Sequence, residues 1–454
     1  MPDWRSRLCE IRATMRAAVL ADESRAVHAC VDAAGLTRTD RALIVARAIE
    51  LVRTTRARAG ASIMQGFLAE YGLSTREGVA LMCLAEALLR VPDTETIDAL
   101  IEDKIGASDW GAHLGHSSSP LVNASTWALL LTGKVLGEAE EGVAGALHGA
   151  IKRLGEPVIR AAVAQAMREL GHQFVLGRDM REATTRAAAM EARGYTYSYD
   201  MLGEAARTEA DARRYHLAYS ASITALAGVG RGAGVRDRPG VSVKLSALHA
   251  RYEFGQRDRV MSELVARLRS LALLAQSAGI GLNVDAEEAD RLDLSLDVVE
   301  AVLADSALSG WDGFGVVVQA YGKRAPHVVD WLHELAGQLG RRIMVRLVKG
   351  AYWDTEVKRA QVLGLDGFPV FTRKAGTDVS FLACARKLLS MTDRIYPQFA
   401  THNAHSVAAV LHMAGQGELF EFQRLHGMGE PLPFLLPASP RECSKEGRRG
   451  FACR

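Results

Sequence analysis

Through most of the first 190 residues, apolar side chains recur at three- and four-residue steps. Val79-Ala-Leu-Met-Cys-Leu-Ala-Glu-Ala-Leu-Leu is one such stretch, and Ala, Arg, Leu and Glu dominate. The pattern predicts helices. Pro92 disfavours helix at Val91, and the Asp-Thr that follows suits the cap of the next helix. Ser117-Ser-Ser-Pro120 reads as a loop. From about residue 195 the texture changes to short β-rich runs separated by amphipathic segments such as Val260-Met-Ser-Glu-Leu-Val-Ala-Arg-Leu. The runs are Tyr195-Thr-Tyr-Ser-Tyr, Val241-Ser-Val-Lys-Leu, Ile280-Gly-Leu-Asn-Val, Phe314-Gly-Val-Val-Val, Ile343-Met-Val-Arg-Leu-Val, Ile395-Tyr-Pro-Gln-Phe-Ala and Phe420-Glu-Phe-Gln-Arg-Leu.

Strands alternating with helices imply right-handed βαβ units and a parallel sheet. Seven runs over roughly 230 residues approach an eight-stranded (β/α) barrel, typically about 250 residues, with one strand missing. Polar residues at the strand ends favour a barrel over an open sheet. Lys244, Asp285, Gln319, Arg346 and His402 lie at the ends of five runs, and a closed barrel gathers such ends at one mouth. An open doubly wound sheet places a glycine-rich loop after its first strand. Gly228-Val-Gly-Arg-Gly-Ala-Gly234 instead lies between a helix and a strand and reads as a connector.

Composition narrows the class without choosing a function. The 454 residues are 48% hydrophobic and 24% charged, which suits a soluble globular chain rather than a disordered one. Lys plus Arg is 55 and Asp plus Glu is 53, a net charge of +2. That balance gives no electrostatic case for nucleic acid, so the helical region reads as a packing domain. No run approaches about 18 apolar residues, and the start lacks a signal-peptide core. The six cysteines form no CxxC pair and no metal-ligand spacing, and they read as reduced thiols of a cytoplasmic protein.

The strand-end residues carry the chemistry. Lys244 inside a β-run is costly to bury unless an anion meets it; the plain alternative is a lysine that snorkels to the rim. Asp285 opens Asp-Ala-Glu-Glu-Ala-Asp-Arg-Leu, where a helix cap is the plain reading. Arg346, flanked by Met344, Val345, Leu347 and Val348, calls for an acid or an electron-rich ligand. Gln319 and the pair His402-Asn403 repeat the pattern.

Six motifs, in order, resemble the proline dehydrogenase family, and more narrowly the N-terminal half of bifunctional proline utilization A enzymes. They are Ser242-Val-Lys-Leu-Ser-Ala-Leu-His, Asp285-Ala-Glu-Glu-Ala-Asp-Arg-Leu, Val318-Gln-Ala-Tyr, Arg346-Leu-Val-Lys-Gly-Ala-Tyr-Trp-Asp, Phe399-Ala-Thr-His-Asn-Ala-His and Leu425-His-Gly-Met-Gly-Glu-Pro-Leu. The resemblance runs from about residue 70 to residue 432. It implies a TIM-type barrel that uses FAD to oxidise L-proline to Δ1-pyrroline-5-carboxylate and passes electrons to a membrane quinone. It also implies a cytoplasmic protein able to sit peripherally at the inner membrane face.

By the same resemblance, Arg346 belongs near the flavin N5 and Gln319 against the isoalloxazine. Lys349, Gly350, Ala351, Tyr352 and Trp353 wrap the ribityl and diphosphate portion. Ala286, His402 and Asn403 lie beside the cofactor, and Thr372, Lys374 and Thr377 hold its adenylate side. Lys244 and Asp285 sit near the substrate carboxylate and amine, with Arg346 completing the catalytic set. Tyr352 and Leu425 wall the proline ring, and Glu204 is the acidic half of a gating pair. No metal and no nucleic-acid partner is implied; the repressor role of some relatives is not carried over.

After Leu432 the sequence departs from the family. The family continues through a last strand and a helix with two adjacent arginines that clamp the proline carboxylate. Here the chain reads Pro433-Phe-Leu-Leu-Pro-Ala-Ser-Pro-Arg-Glu-Cys-Ser-Lys-Glu-Gly-Arg-Arg-Gly-Phe-Ala-Cys-Arg. Its prolines prevent a helix, and Arg448-Arg449 lie between glycines. The expected organisation is therefore a helical accessory region over 1–190, an incomplete proline dehydrogenase barrel over 191–432 lacking its last strand and helix, and an unrelated tail over 433–454. Such a C-terminally truncated barrel would stay open, leaving a poorly active enzyme or, alternatively, an inactive remnant or flavin-binding scaffold.

Overall fold

All seven β-rich runs become parallel strands. These are β1 (Tyr195–Asp200), β2 (Gly240–Val243), β3 (Gly281–Val284), β4 (Phe314–Gln319), β5 (Ile343–Val348), β6 (Ile395–Ala400) and β7 (Glu421–Arg424). Each pairs with its sequence neighbour, in registers such as Val316↔Val345 and Leu347↔Phe399. Every position of β3 and all but the last of β4 and β5 are buried, as parallel strands enclosed by helices require. The computed structural model describes residues 4–58, 175–229, 234–414, 419–428 and 450–453. The helix expected around Val79, the loop at Ser117, residues 230–233 of the glycine-rich connector and Arg448-Arg449 lie outside the described residues.

The open edge expected between β1 and β7 is not found. Gly450–Cys453 forms a further parallel strand, β8, which pairs with Glu421–Arg424 on one side and Tyr195–Tyr197 on the other. Eight strands thus form a closed barrel. Two strands with unpaired backbone groups need any extended partner of matching length, and the requirement is on backbone rather than on family sequence. The seven family-type strands stand as expected; the tail supplies the eighth.

Helices α1 (Trp4–Ala17), α2 (Glu23–Ala34) and α3 (Arg38–Arg58) open the chain, and α4 (Met180–Glu191) leads into β1. The crossovers are α5 (Glu209–Leu226), the single turn α6 (Leu245–Leu248) with α7 (Arg257–Ala278), α8 (Leu292–Leu303), α9 (Ala325–Gln338), α10 (Trp353–Val362) with α11 (Lys374–Leu389), and α12 (Ala404–Met413). By its contacts the chain divides into one unit of residues 1–54 with 177–454 and another of residues 55–176. The first helices therefore go with the barrel, not with a helical region running to residue 190. Arg12 explains part of this: its guanidinium stacks 4.5 Å from the Trp331 ring and reaches Asp297 at 2.9 Å. Among the described residues, no helix is long and apolar enough to cross a membrane.

Candidate active site

Lys244, Asp285, Gln319 and His402 lie at or just past the C-terminal ends of their strands, while Arg346 sits two residues inside the end of β5. Lys244 is not within β2, as its run suggested, but one residue beyond it, before the α6 turn. Its side chain is 14% exposed, and its ammonium contacts Asp200 at 3.0 Å and Asp285 at 3.3 Å. The lysine is thus met by carboxylates and does not simply snorkel.

Asp285 follows β3 and is 4% exposed, and it caps no helix. Its second oxygen meets the Arg346 guanidinium at 3.3 Å. Arg346 is fully buried on β5, where it also donates to the hydroxyls of Ser242 and Ser198, each at 2.9 Å. One carboxylate therefore bridges two cations, and the buried guanidinium is held by neutral hydroxyls as well as charge.

Gln319 ties the neighbouring loops together. Its amide donates to the Glu287 carbonyl at 2.8 Å and accepts the Ala351 N–H at 3.0 Å. Ala286 and Gln319 also line a cavity against α8 and α9, with Glu287, Tyr252 and Arg324. Burial pushes Glu287 above the usual carboxylate range, against hydrogen bonding from Ser246 and the Arg291 charge.

Beyond β5, Gly350 has φ +137°, and a Cβ there would come 2.5 Å from the Tyr321 ring. Only glycine lets the 349–351 backbone lie against that aromatic face. Tyr352 follows, its phenol held neutral first by burial and then by the carboxylates of Glu204, Glu287, Glu288 and Asp285. Glu204 itself is exposed. The Trp353 indole donates to the Phe371 carbonyl at 2.9 Å.

Lys349 and Lys374 converge on Asp378, the latter at 2.6 Å. Burial would raise Asp378, yet hydrogen bonds from both lysines hold it below the usual carboxylate range. Thr377 is buried in the first turn of α11, while Thr372 is exposed before it.

On the opposite side, His402 Nε2 accepts the Leu425 N–H at 2.9 Å. Desolvation, then the Arg424 cation, lowers this imidazole's pKa, although the residue as a whole is exposed. Asn403 caps α12 through the Ser406 N–H. Leu425 is partly exposed at the rim.

Sequence reasoning missed Asp200, Ser198, Ser242, Glu287 and Asp378. Asp200 carried the right signal, a charge at a strand end, one residue past the run as read. The serines are too small and common to stand out.

Comparisons with known proteins identify the family. The family model described as "Proline dehydrogenase" matches residues 183–446, more than half of the chain and beyond Leu432. A second, described as "DNA-binding domain of Proline dehydrogenase", matches residues 63–174. That match weakens the expectation of no nucleic-acid partner, and the whole segment lies outside the described residues.

The chain is 54% identical over 388 residues to "Bifunctional protein PutA" of Salmonella typhimurium, covering 84% of this chain and 29% of that protein. It is 51% identical over 427 residues to the Rhizobium meliloti protein of the same name, covering 93% and 34%. It therefore spans about a third of the length of these relatives. A crystal structure of Bradyrhizobium japonicum Proline Utilization A superposes with a TM-score of 0.69 at 47% identity, covering 96% of this chain and 43% of that one. With seven family strands in order and more than half its length matched, the chain belongs to the proline dehydrogenase family.

Proposed function

We propose that the barrel mouth binds FAD and oxidises L-proline to Δ1-pyrroline-5-carboxylate, with the electrons passing on to a quinone at a membrane surface. The observation that carries the reading is the Lys244–Asp285–Arg346 bridge, a buried charge network aimed at the mouth. When bound, the flavin supplies the two-electron acceptor for the hydride lost from the proline ring.

The residues present suit such a group. Lys349 offers a cation to a diphosphate and Lys374 one to the adenylate side, and Gly350 lets the exposed turn lie against Tyr321. Arg346 would stabilise negative charge on the reduced ring system without reorganising, because three side chains already fix it. Lys244 would anchor the substrate carboxylate, Asp285 would balance the two cations, and Tyr352 and Leu425 would wall the ring. Gln319, Ala286, Trp353, Thr372, Thr377, His402 and Asn403 would line or support the cofactor. Asn403 would act through α12, which it caps.

A second reading has its own support: both mouth cations are already engaged by Asp200 and Asp285. A chain whose sequence after Leu432 departs from the family's paired-arginine motif would then bind flavin without turning over proline. One anaerobic experiment on the purified chain separates the two. Bleaching of the bound flavin band by proline supports the enzyme; a yellow protein that proline leaves unbleached supports the scaffold. Colourless, folded protein that takes up no FAD overturns both.

A further inference from the structure

The N-terminal arm meets the loops on the mouth side of the barrel, and one contact bears on the segment before α11. The turn between α1 and α2 sits against the loop that leads into α11. Lys323, after β4, donates from its ammonium to the Ala21 carbonyl at 2.8 Å and from its amide to the Pro369 carbonyl at 3.1 Å. Gly322 bridges to Val370. Two residues on, Thr372 gives both its N–H and its hydroxyl to a single oxygen of Glu23, at 2.9 and 3.1 Å.

Glu23 is itself fixed. It opens α2, which Asp22 caps by accepting the Arg25 N–H at 2.8 Å, and the far end of α2 is tied to α11 through Arg386 and the Ala34 carbonyl. A carboxylate anchored at both ends of its helix is a positioning device, not a passing surface contact.

We infer that the α1–α2 turn, acting through Glu23 and Lys323, braces residues 369–378 so that Thr372, Lys374 and Thr377 meet the adenylate end of the cofactor. The inference rests on the reading of that segment proposed above. With the N–H and hydroxyl hydrogen of Thr372 committed to Glu23, the hydroxyl's lone pairs are turned outward as acceptors. Losing the brace leaves the donors in water and the preceding loop free to sample other conformations, which a ligand must then reorder.

The test uses the full chain, stripped of cofactor and titrated with FAD by flavin fluorescence, alongside amide hydrogen exchange of the cofactor-free protein. Glu23→Gln is expected to weaken FAD binding about three- to tenfold, the range left for an exposed charge-assisted pair, and to speed exchange across 369–378. Lys323→Met is expected to act in the same direction. Unchanged or tighter FAD binding in Glu23→Gln overturns the brace. Lys374→Ala and Thr377→Val separate the two failures. If they weaken binding while Glu23→Gln does not, the brace alone is wrong; if none of the variants weakens it, the segment does not hold the cofactor and both ideas fall.

Discussion

Asp285 and Arg346 meet at 3.3 Å from strands two apart in the barrel, and the aspartate's other oxygen lies equally close to Lys244. Removing the carboxylate leaves two cations facing each other beside Ser242, where little water screens them. Asp285→Asn is therefore expected to destabilise the fold by about 3–5 kcal/mol, as breaking a buried pair does. Asp200 remains as a partner for Lys244, so adding Lys244→Met should restore part of the loss. Urea unfolding of the two single variants and the double variant measures this. A coupling energy near zero would show that the three groups do not act as one network.

Gly350 shows what the turn after β5 tolerates. Gly350→Ala places a methyl group in the Tyr321 ring and a side chain at φ +137°. Both effects raise the energy, at about 1–3 kcal/mol for the backbone alone, and the 349–351 backbone must lift from the ring. Since Ala351 is held by Gln319, the shift should reach the β4 end. The expected outcome is a lower unfolding midpoint together with weaker FAD binding; Tyr321→Leu should recover only the steric part.

Much of this could be read from the chain. Seven strands fall within a residue or two of their apolar runs because parallel strands buried on both faces must be nearly continuous in apolar residues. The mouth showed itself as charge where burial was expected. β8 was not legible: Gly450-Phe-Ala-Cys is four residues with no alternation, and its place depends on the free edges of β1 and β7. The packing of α1 and α2 on the barrel was equally hidden, since an apolar helix face announces that something covers it without saying what. Asp378 escaped for the same reason, its meaning resting on Lys349, which is distant in sequence.

His402 gives a pH-dependent rim. Its Nε2 must be unprotonated to accept the Leu425 N–H, and its pKa is lowered from the ordinary 6.5. A depressed histidine contributes stability that is fully present above about pH 6.5 and is lost as pH falls through the lowered value. The loss should be about 0.5–1.5 kcal/mol, one hydrogen bond's worth. His402→Gln can accept the same amide at every pH, so its unfolding midpoint should fall less on acidification than that of the unmodified protein. Parallel profiles would mean the imidazole does not set this dependence.

Glu421 behaves with the opposite sign. It is buried within the barrel at the start of β7, accepting from Gln398 at 2.9 Å, Gln423 at 2.7 Å and Tyr396 at 3.3 Å. Burial raises its pKa from the ordinary 4.5, outweighing the lowering by Gln423, Arg346, Tyr396 and Gln398. The Oε1 atoms of Gln398 and Gln423 are buried without a hydrogen-bond partner among the described residues. A neutral carboxyl group has a hydrogen to offer one of them, which a carboxylate lacks. A raised folded-state pKa means that the group's contribution is complete below about pH 4.5 and drains away as pH rises through the raised value. Glu421→Gln carries the neutral donor at all pH. It should match the unmodified protein in mild acid and exceed it above neutrality, by about 1–3 kcal/mol, the usual cost of a poorly solvated polar group. Unfolding free energies measured from pH 5 to pH 9 decide it, and a glutamine variant less stable across that whole range would mean the carboxylate is the form the barrel interior is built to hold.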